Sequence, residues 1–316
     1  VTSLTDMYLN VCQYENIIKG VKVSSKLTRA TRRWKMPDGH RHQLRCTLGQ
    51  GVAMPDMLCS DIRLRAGSQD AMVTSLREAW PTVIEVARNV FFYSFADDCG
   101  ITSDRTPTLR LKVFKRKIYK AIKKLGLSAI VQIELQSVMN HPQGGKGRLL
   151  LLNAHAICWG DTTLGRLAKT LKKLNRSRSW SNQFGTKPIV RRRLQYGLGD
   201  VLQLGHYIDK LPDSTKNRMP HRNKPGGYLF RDTIAGYRPE FALRVFEGLS
   251  HIPLTEAIFG VGEGKLIRKA WKARLTAFHR SRPELDTASV FLPTAAFWRQ
   301  IRERNGSRLF AEFEVA

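Results

Sequence analysis

The sequence predicts an α+β fold: an antiparallel-rich sheet with helices on one face, flanked by mainly helical regions. Three observations carry this. Between residues 89 and 212, β-branched and aromatic runs alternate with amphipathic basic segments. Their order, β-α-β-β-α-β-α, fits a sheet covered by helices rather than a helical bundle. A chain of 316 residues that is 42% apolar can also build a real core.

The elements follow in order. Asn89 to Ala96 is aromatic and β-branched, hence a strand. Thr108 to Leu125 reads as a basic helix with Leu111, Phe114, Ile118 and Ile122 on its apolar side. Gly126 ends it. A strand spans 129–136 and a loop spans 140–147. A second strand covers 149–158, and a second basic helix covers 163–174, with Leu164, Leu167, Leu171 and Leu174 along one side. Ile189 to Leu194 reads as a strand, and Val201 to Leu211 as a helix ended by Pro212.

The flanks are less regular. Residues 1–88 form an N-terminal basic accessory region, with a helix over Ser75 to Val90 broken near Pro81. Residues 213–316 form a mainly helical C-terminal accessory region. It is polar and irregular to Gly227, with helices over 241–249 and 266–277. Trp271, Phe278 and Phe297 are its candidate core anchors. No internal repeat is visible.

Charge sets the partner class. Lys plus Arg number 53 against 26 Asp plus Glu, a net charge of +27. Such an excess opposes compaction unless a polyanion neutralises it, and it predicts salt-dependent phosphate binding. Lys115, Lys117, Arg176, Arg178, Arg191, Arg192 and Arg193 lie in the densest basic runs and are the candidate nucleic-acid contacts. The five cysteines include no Cys-x-x-Cys pair, so neither a disulfide framework nor a zinc knuckle is expected. With no apolar run near ~18 residues, no membrane partner is expected, and the cytoplasm is the default location.

Chemistry concentrates between Ala129 and Lys210. Glu134 sits on one predicted strand; Asn153 and His155 sit on the next, on one face by the period of two. A carboxylate and an imidazole on neighbouring strands can hold a divalent metal, and the Asn carbonyl oxygen can join them on a hard cation. Downstream, Tyr207 is followed by Lys210 at helical spacing, and a tyrosine oxygen can attack a phosphodiester.

These segments resemble the motifs of HUH-type single-strand endonucleases, particularly replication initiators of rolling-circle plasmids and phages and related transposases. Phe91-Phe92-Tyr93-Ser94-Phe95 matches the family's first apolar strand, Asn153-Ala154-His155 its His-hydrophobic-His strand, and Tyr207-Ile208-Asp209-Lys210 its Tyr-x-x-Lys helix. The resemblance covers residues 89–212 and implies an RRM-like core. It implies Mg²⁺ or Mn²⁺ at Glu134, Asn153 and His155. It further implies Tyr207 as the nucleophile that forms a 5′-phosphotyrosine, assisted by Lys210. Single-stranded or hairpin DNA and host replication proteins are the implied partners. Asn153 departs from the family, which has a histidine there. That departure keeps open a relative that binds DNA without cutting it; an RNA-binding RRM-like protein is the third reading, although no RNP1 pattern is present.

Plainer roles stand beside these. A single strand histidine such as His155 is often a hydrogen-bonded core residue. Glu134 can pair with a basic neighbour, and a helical tyrosine such as Tyr207 can pack with its hydroxyl in water. The pair His40 and His42 follows a Pro-Asp-Gly turn, so it reads as a solvated or phosphate-contacting loop. His206 reads as a surface or substrate contact, and Gly144-Gly145-Lys146-Gly147 as a strand connection.

Overall fold

The computed structural model describes Leu27 and residues 57–280, apart from positions 88, 106, 143–146, 184–185, 196, 211–214, 221–227 and 233–238. His40, His42, Phe297 and most of the glycine-rich connection lie outside the described residues.

The chain is α+β. Its first described helix, α1 (Ile62–Ala79), runs into a π-helical turn at Trp80–Ile84 that holds Pro81. Strand β1 (Asn89–Ser103) leads to α2 (Leu111–Leu125), and β2 (Ser128–Met139) to β3 (Leu149–Gly160). Next come α3 (Leu164–Asn175), β4 (Ile189–Arg193) and α4 (Leu198–Ile208). The C-terminal part adds strands β5 (Thr215–Pro220) and β6 (Tyr228–Asp232), then helices α5 (Pro239–Leu249) and α6 (Leu254–Ala257). Strand β7 (Ile258–Val261) and helix α7 (Gly264–Arg280) complete it.

The strands form one mixed sheet in the order β4-β1-β3-β2-β5-β6, with β7 also on β2. Pairs β1–β3, β1–β4 and β2–β3 are antiparallel, whereas β2–β5 is parallel. The polar stretch after residue 211, expected to be irregular, therefore contains a strand pair. It escapes the sequence pattern because β5 meets β2 only over Ser137 to Met139.

Strand β1 runs beyond its expected end. Its register against β3 shifts between Ala96 and Ile101, the mark of a bulge. Asp97 explains the detour: its carboxylate accepts from the backbone N–H groups of Cys99 and Ser181 and pairs with Lys117.

Helices lie on both sides of the sheet, not on one. Phe91, Tyr93 and Phe95 point to the α2 side, where Phe95 meets Trp180 and Trp180 meets Lys117 of α2. Phe92 and Ser94 point to the other side, where α4 places Tyr207 against Phe92. Helix α1 packs along α4 and α7 on that second side. One hydrophobic core includes Leu64 and Met72 of α1, Phe91 and Ile133 of the sheet, and Phe246 and Trp271 of the C-terminal helices.

Local chemistry sets the helix ends. Gly126 caps α2 in the left-handed region at φ +71°, a conformation that costs other residues their Cβ clearance. Thr163 caps α3 by accepting from the Arg166 N–H. In α3, Leu167 and Leu174 are buried, whereas Leu164 is 41% exposed at the first turn. Helix α4 stops at Ile208, before the expected Leu211, because the residues that follow are held by other groups.

Candidate active site

Strand register builds the first half of the site. Glu134 pairs with Asn153, and Gln132 and Ser94 flank His155 on either side. Cross-strand partners share a sheet face, so these side chains meet on the α4 side. Ser94 Oγ lies 3.0 Å from His155 Nδ1, and Glu134 Oε1 lies 3.1 Å from His155 Nε2. His155 thus has a hydroxyl against one ring nitrogen and a carboxylate oxygen against the other.

Helix α4 brings the second half. The Tyr207 ring lies 5.2 Å from that of His155 and 5.8 Å from that of Phe92, edge-on to both. Phe92 also stacks on His155 at 5.3 Å. Lys210 Nζ stands 3.9 Å from the centre of the Tyr207 ring. Lys210 was expected on the same helix face as Tyr207; it lies instead just beyond the helix, its N–H donating to the Tyr207 carbonyl, and still reaches the ring. Tyr207 is 40% exposed, so part of it is open to solvent.

A buried polar cluster anchors the end of α4. Gln132 Nε2 donates to Asp209 Oδ1 at 2.6 Å. Arg65 of α1 donates to the Lys210 carbonyl at 2.5 Å and lies 3.7 Å from Asp209 Oδ1. Gln69 donates to the carbonyls of His206 and Asp209. These side chains satisfy carbonyls that a continuing helix would have used, which is why α4 ends here. Gln132, Asp209, Arg65, Gln69, Ser94 and Phe92 were not among the predicted site residues. Ser94 and Gln132 were readable in principle, being on the same period-two face as His155 and Glu134. Arg65 and Gln69 carried no local signal.

Electrostatics follow from burial. Burial works to raise the Glu134 carboxyl, but His155, Lys210 and Arg65 outweigh it and hold it below the usual carboxylate range. Asp209 is pushed up by burial, which Arg65, Ser68 and Gln132 only partly offset. His206, expected at the surface, is buried, and burial pushes its imidazole down to about 4. Position 206 falls on the inward side of α4, beside Gly205 and opposite the exposed Gln203 and Tyr207.

The donor set suits a hard or borderline cation. Glu134 Oε1 and Asn153 Oδ1 are buried and make no hydrogen bond with a described residue. Glu134 Oε1 faces His155 Nε2 at 3.1 Å, an ion pair whenever the imidazole is protonated and two donors to a cation when it is neutral. Among the described residues no group of three or more His, Cys, Asp and Glu side chains gathers, so the set depends on Asn153.

The seven predicted nucleic-acid contacts divide. Lys115 is paired with Glu256, and Lys117 with Asp97. Arg191 is half-buried, its guanidinium over the Phe91 ring on the α2 side. Arg192 is the register partner of Phe92 and is exposed on the Tyr207 side. Arg176, Arg178 and Arg193 are exposed. No described helix is long and apolar enough to cross a membrane. No protein-family model, curated protein or solved structure matches the chain.

Proposed function

We propose that the chain is an HUH-type single-strand DNA endonuclease that nicks and joins DNA through Tyr207 in replication initiation or mobilisation. One observation carries the reading: Glu134, His155, Tyr207 and Lys210 come from two strands, a helix and a turn, yet gather on one face within contact distance. The β-α-β-β-α-β order with strands arranged β4-β1-β3-β2 supports an RRM-like core beneath that face.

In this reading Tyr207 Oη attacks the scissile phosphorus. The new O–P bond forms as the P–O3′ bond breaks; the phenol gives up its proton and the departing 3′ oxygen takes one up. The products are a 5′-phosphotyrosine and a free 3′-hydroxyl, and reversal by a 3′-hydroxyl joins strands. Lys210 keeps a positive charge beside the phenol as negative charge develops. Phe92 fixes the faces of His155 and Tyr207. Mg²⁺ or Mn²⁺, when bound, would be held by Glu134, Asn153 and His155 and would supply Lewis-acid polarisation of the phosphate.

The test is incubation with single-stranded DNA pools and Mn²⁺ or Mg²⁺, resolved on denaturing gels. The parent chain forms a covalent adduct; Tyr207→Phe binds DNA and forms none. An adduct that survives Tyr207→Phe places the nucleophile elsewhere. A second reading, a DNA-binding relative without cleavage, is favoured by Asn153 standing where a second imidazole would be. Binding without an adduct in any metal would select it. Coverage of the Tyr207 side of the sheet by α4, itself packed on α1, disfavours the open-sheet RNA-binding reading.

A further inference from the structure

We propose that the outer surface of α2 and α3 is a second polyanion site, one that takes duplex DNA. It lies across the sheet from Tyr207 and does not require that Tyr207 cut.

The helices are one-sided in charge. Helix α2 carries seven basic residues and α3 four, and neither carries an acidic one. Their apolar sides are buried through Phe114, Ile118 and Ile122, and through Leu167 and Leu174, so the cations are forced outward. Both helices end in the same spacing, Lys120-x-x-Lys123-Lys124 and Lys169-x-x-Lys172-Lys173, and all six lysines are exposed. Like charges three and four residues apart destabilise a helix, so the repeated pattern has a cost that a bound polyanion removes. Of the basic residues of α2, Lys115 and Lys117 pair with Glu256 and Asp97; none of the six cluster lysines forms an ion pair with a described residue.

Topology spreads the two clusters apart. Strands β1 and β2 are both antiparallel to β3, and β3 and β4 are both antiparallel to β1. The connecting helices therefore run in opposite directions, and their lysine-rich ends lie at opposite ends of the layer. The 15 residues of α2 span on the order of 20 Å. Over that length a DNA duplex presents about a dozen phosphate charges and a single strand about half as many. Nine of the eleven cations stay outside the ion pairs with Glu256 and Asp97, more than the phosphates a single strand presents over that length.

Aromatic content points the same way. Surfaces that take single strands interleave cations with rings that stack on bases. Here Phe114 is buried, Tyr119 packs against the core, and Trp180 is buried behind Lys117. The face offers charge without a stacking platform, which fits a partner whose bases are already paired.

The test uses the full chain with Lys120→Gln, Lys123→Gln, Lys124→Gln, Lys172→Gln and Lys173→Gln combined, and a control with the same five positions changed to arginine. Fluorescence anisotropy across a salt series compares a random-sequence duplex with a dT homopolymer, and sedimentation compares anionic phosphatidylserine vesicles. Duplex affinity of the glutamine variant falls at least about tenfold at physiological salt, and its salt slope drops by about two or more. The arginine variant retains both, and dT binding changes less than about twofold. A duplex isotherm that superimposes on the parent overturns the proposal. So does an equal loss for dT, or a loss confined to vesicles, which would make the face a membrane surface. Adduct formation on single-stranded DNA is scored separately, so the absence of cleavage overturns the Tyr207 reading and leaves this one to the duplex data.

Discussion

Gln132 donates to the buried carboxylate of Asp209 at 2.6 Å, and this contact joins the strand that carries Glu134 to the turn that follows Tyr207. One residue separates Gln132 from Glu134, and one separates Asp209 from Tyr207. The bond therefore fixes the distance between the halves of the site. Arg65 and Gln69 hold the same turn from the α1 side.

Loss of this tie should separate positioning from binding. Gln132→Leu removes the 2.6 Å donor to the buried Asp209 Oδ1 and leaves the carboxylate to Arg65 and Ser68, a cost of about 1–3 kcal/mol. Asp209→Ala leaves the Arg65 guanidinium buried without its countercharge, a cost of about 3–5 kcal/mol. Urea unfolding should rank the two variants in that order. In Gln132→Leu, single-turnover adduct formation should fall at least about tenfold while single-strand affinity holds, because a small displacement of a nucleophile acts on rate. Equal losses in rate and affinity would make Gln132 a general support of the fold.

The incomplete ligand set gives a gain-of-function expectation. Asn153→His restores an imidazole beside Glu134 and two residues from His155, on the same face. Adduct yield should be preserved or raised, with the larger gain in Mn²⁺, since imidazole suits transition metals better than an amide oxygen. His155→Ala should lower the yield by at least about tenfold, on the scale of disturbed metal sites. Titration of yield against Mn²⁺ concentration measures both. No adduct in parent or Asn153→His, in either metal, would select the binding-only reading.

Acid should destabilise the protein through His206. Its ring nitrogens are buried and make no hydrogen bond with a described residue, and its folded value is about 4 against an ordinary 6.5. Between those values the unfolded chain binds a proton that the folded chain refuses, so stability rises with pH. The contribution is full above about 6.5 and is lost as pH falls toward 4, amounting to up to about 3 kcal/mol. His206→Leu should flatten this part of the pH–stability curve measured by urea unfolding. An unchanged slope would assign the acid sensitivity to other groups.

The frame was legible where periodicity was strong. Phe114, Ile118 and Ile122 marked α2, and the alternation of Asn153 and His155 placed both on one strand face. The bulge in β1 was not legible, because Asp97-Asp98-Cys99-Gly100 has the composition of a turn. Tertiary contacts hold it in the strand: Asp97 with Lys117 and Ser181, and Asp98 with Ser181 and Gln183. Strand β7 was missed because four residues, Ile258–Val261, carry no period of their own and gain strand character by pairing with Ala129 to Gln132. The pairing of Glu134, His155 and Tyr207 followed from motif order. The clamp on α4 did not, because Arg65 lies 145 residues from its carbonyl partner at Lys210. Buried polar contacts of that range have no counterpart in a local pattern.

Close packing of α4 on α1 gives the last expectation. A Cβ at Gly205 would stand 2.7 Å from Leu76 Cδ1 and 3.5 Å from Val73 Cγ2. Elsewhere in a helix Gly→Ala gains about 1 kcal/mol from propensity alone. Here Leu76 is fully buried and has little room to withdraw, so Gly205→Ala should instead destabilise by about 1–3 kcal/mol, the cost of overpacking. Leu76→Ala alone opens a cavity and costs about 2–5 kcal/mol. In the double variant the new methyl enters space that the leucine vacated, so the two costs should fall short of additive by at least about 0.5 kcal/mol. Because Gly205 is two residues from Tyr207, Gly205→Ala should also slow adduct formation, and Leu76→Ala should restore part of that rate. A stabilising Gly205→Ala, or strictly additive costs, would mean that α4 has room to move away from α1, and the tyrosine would then be held by Asp209 and its partners alone.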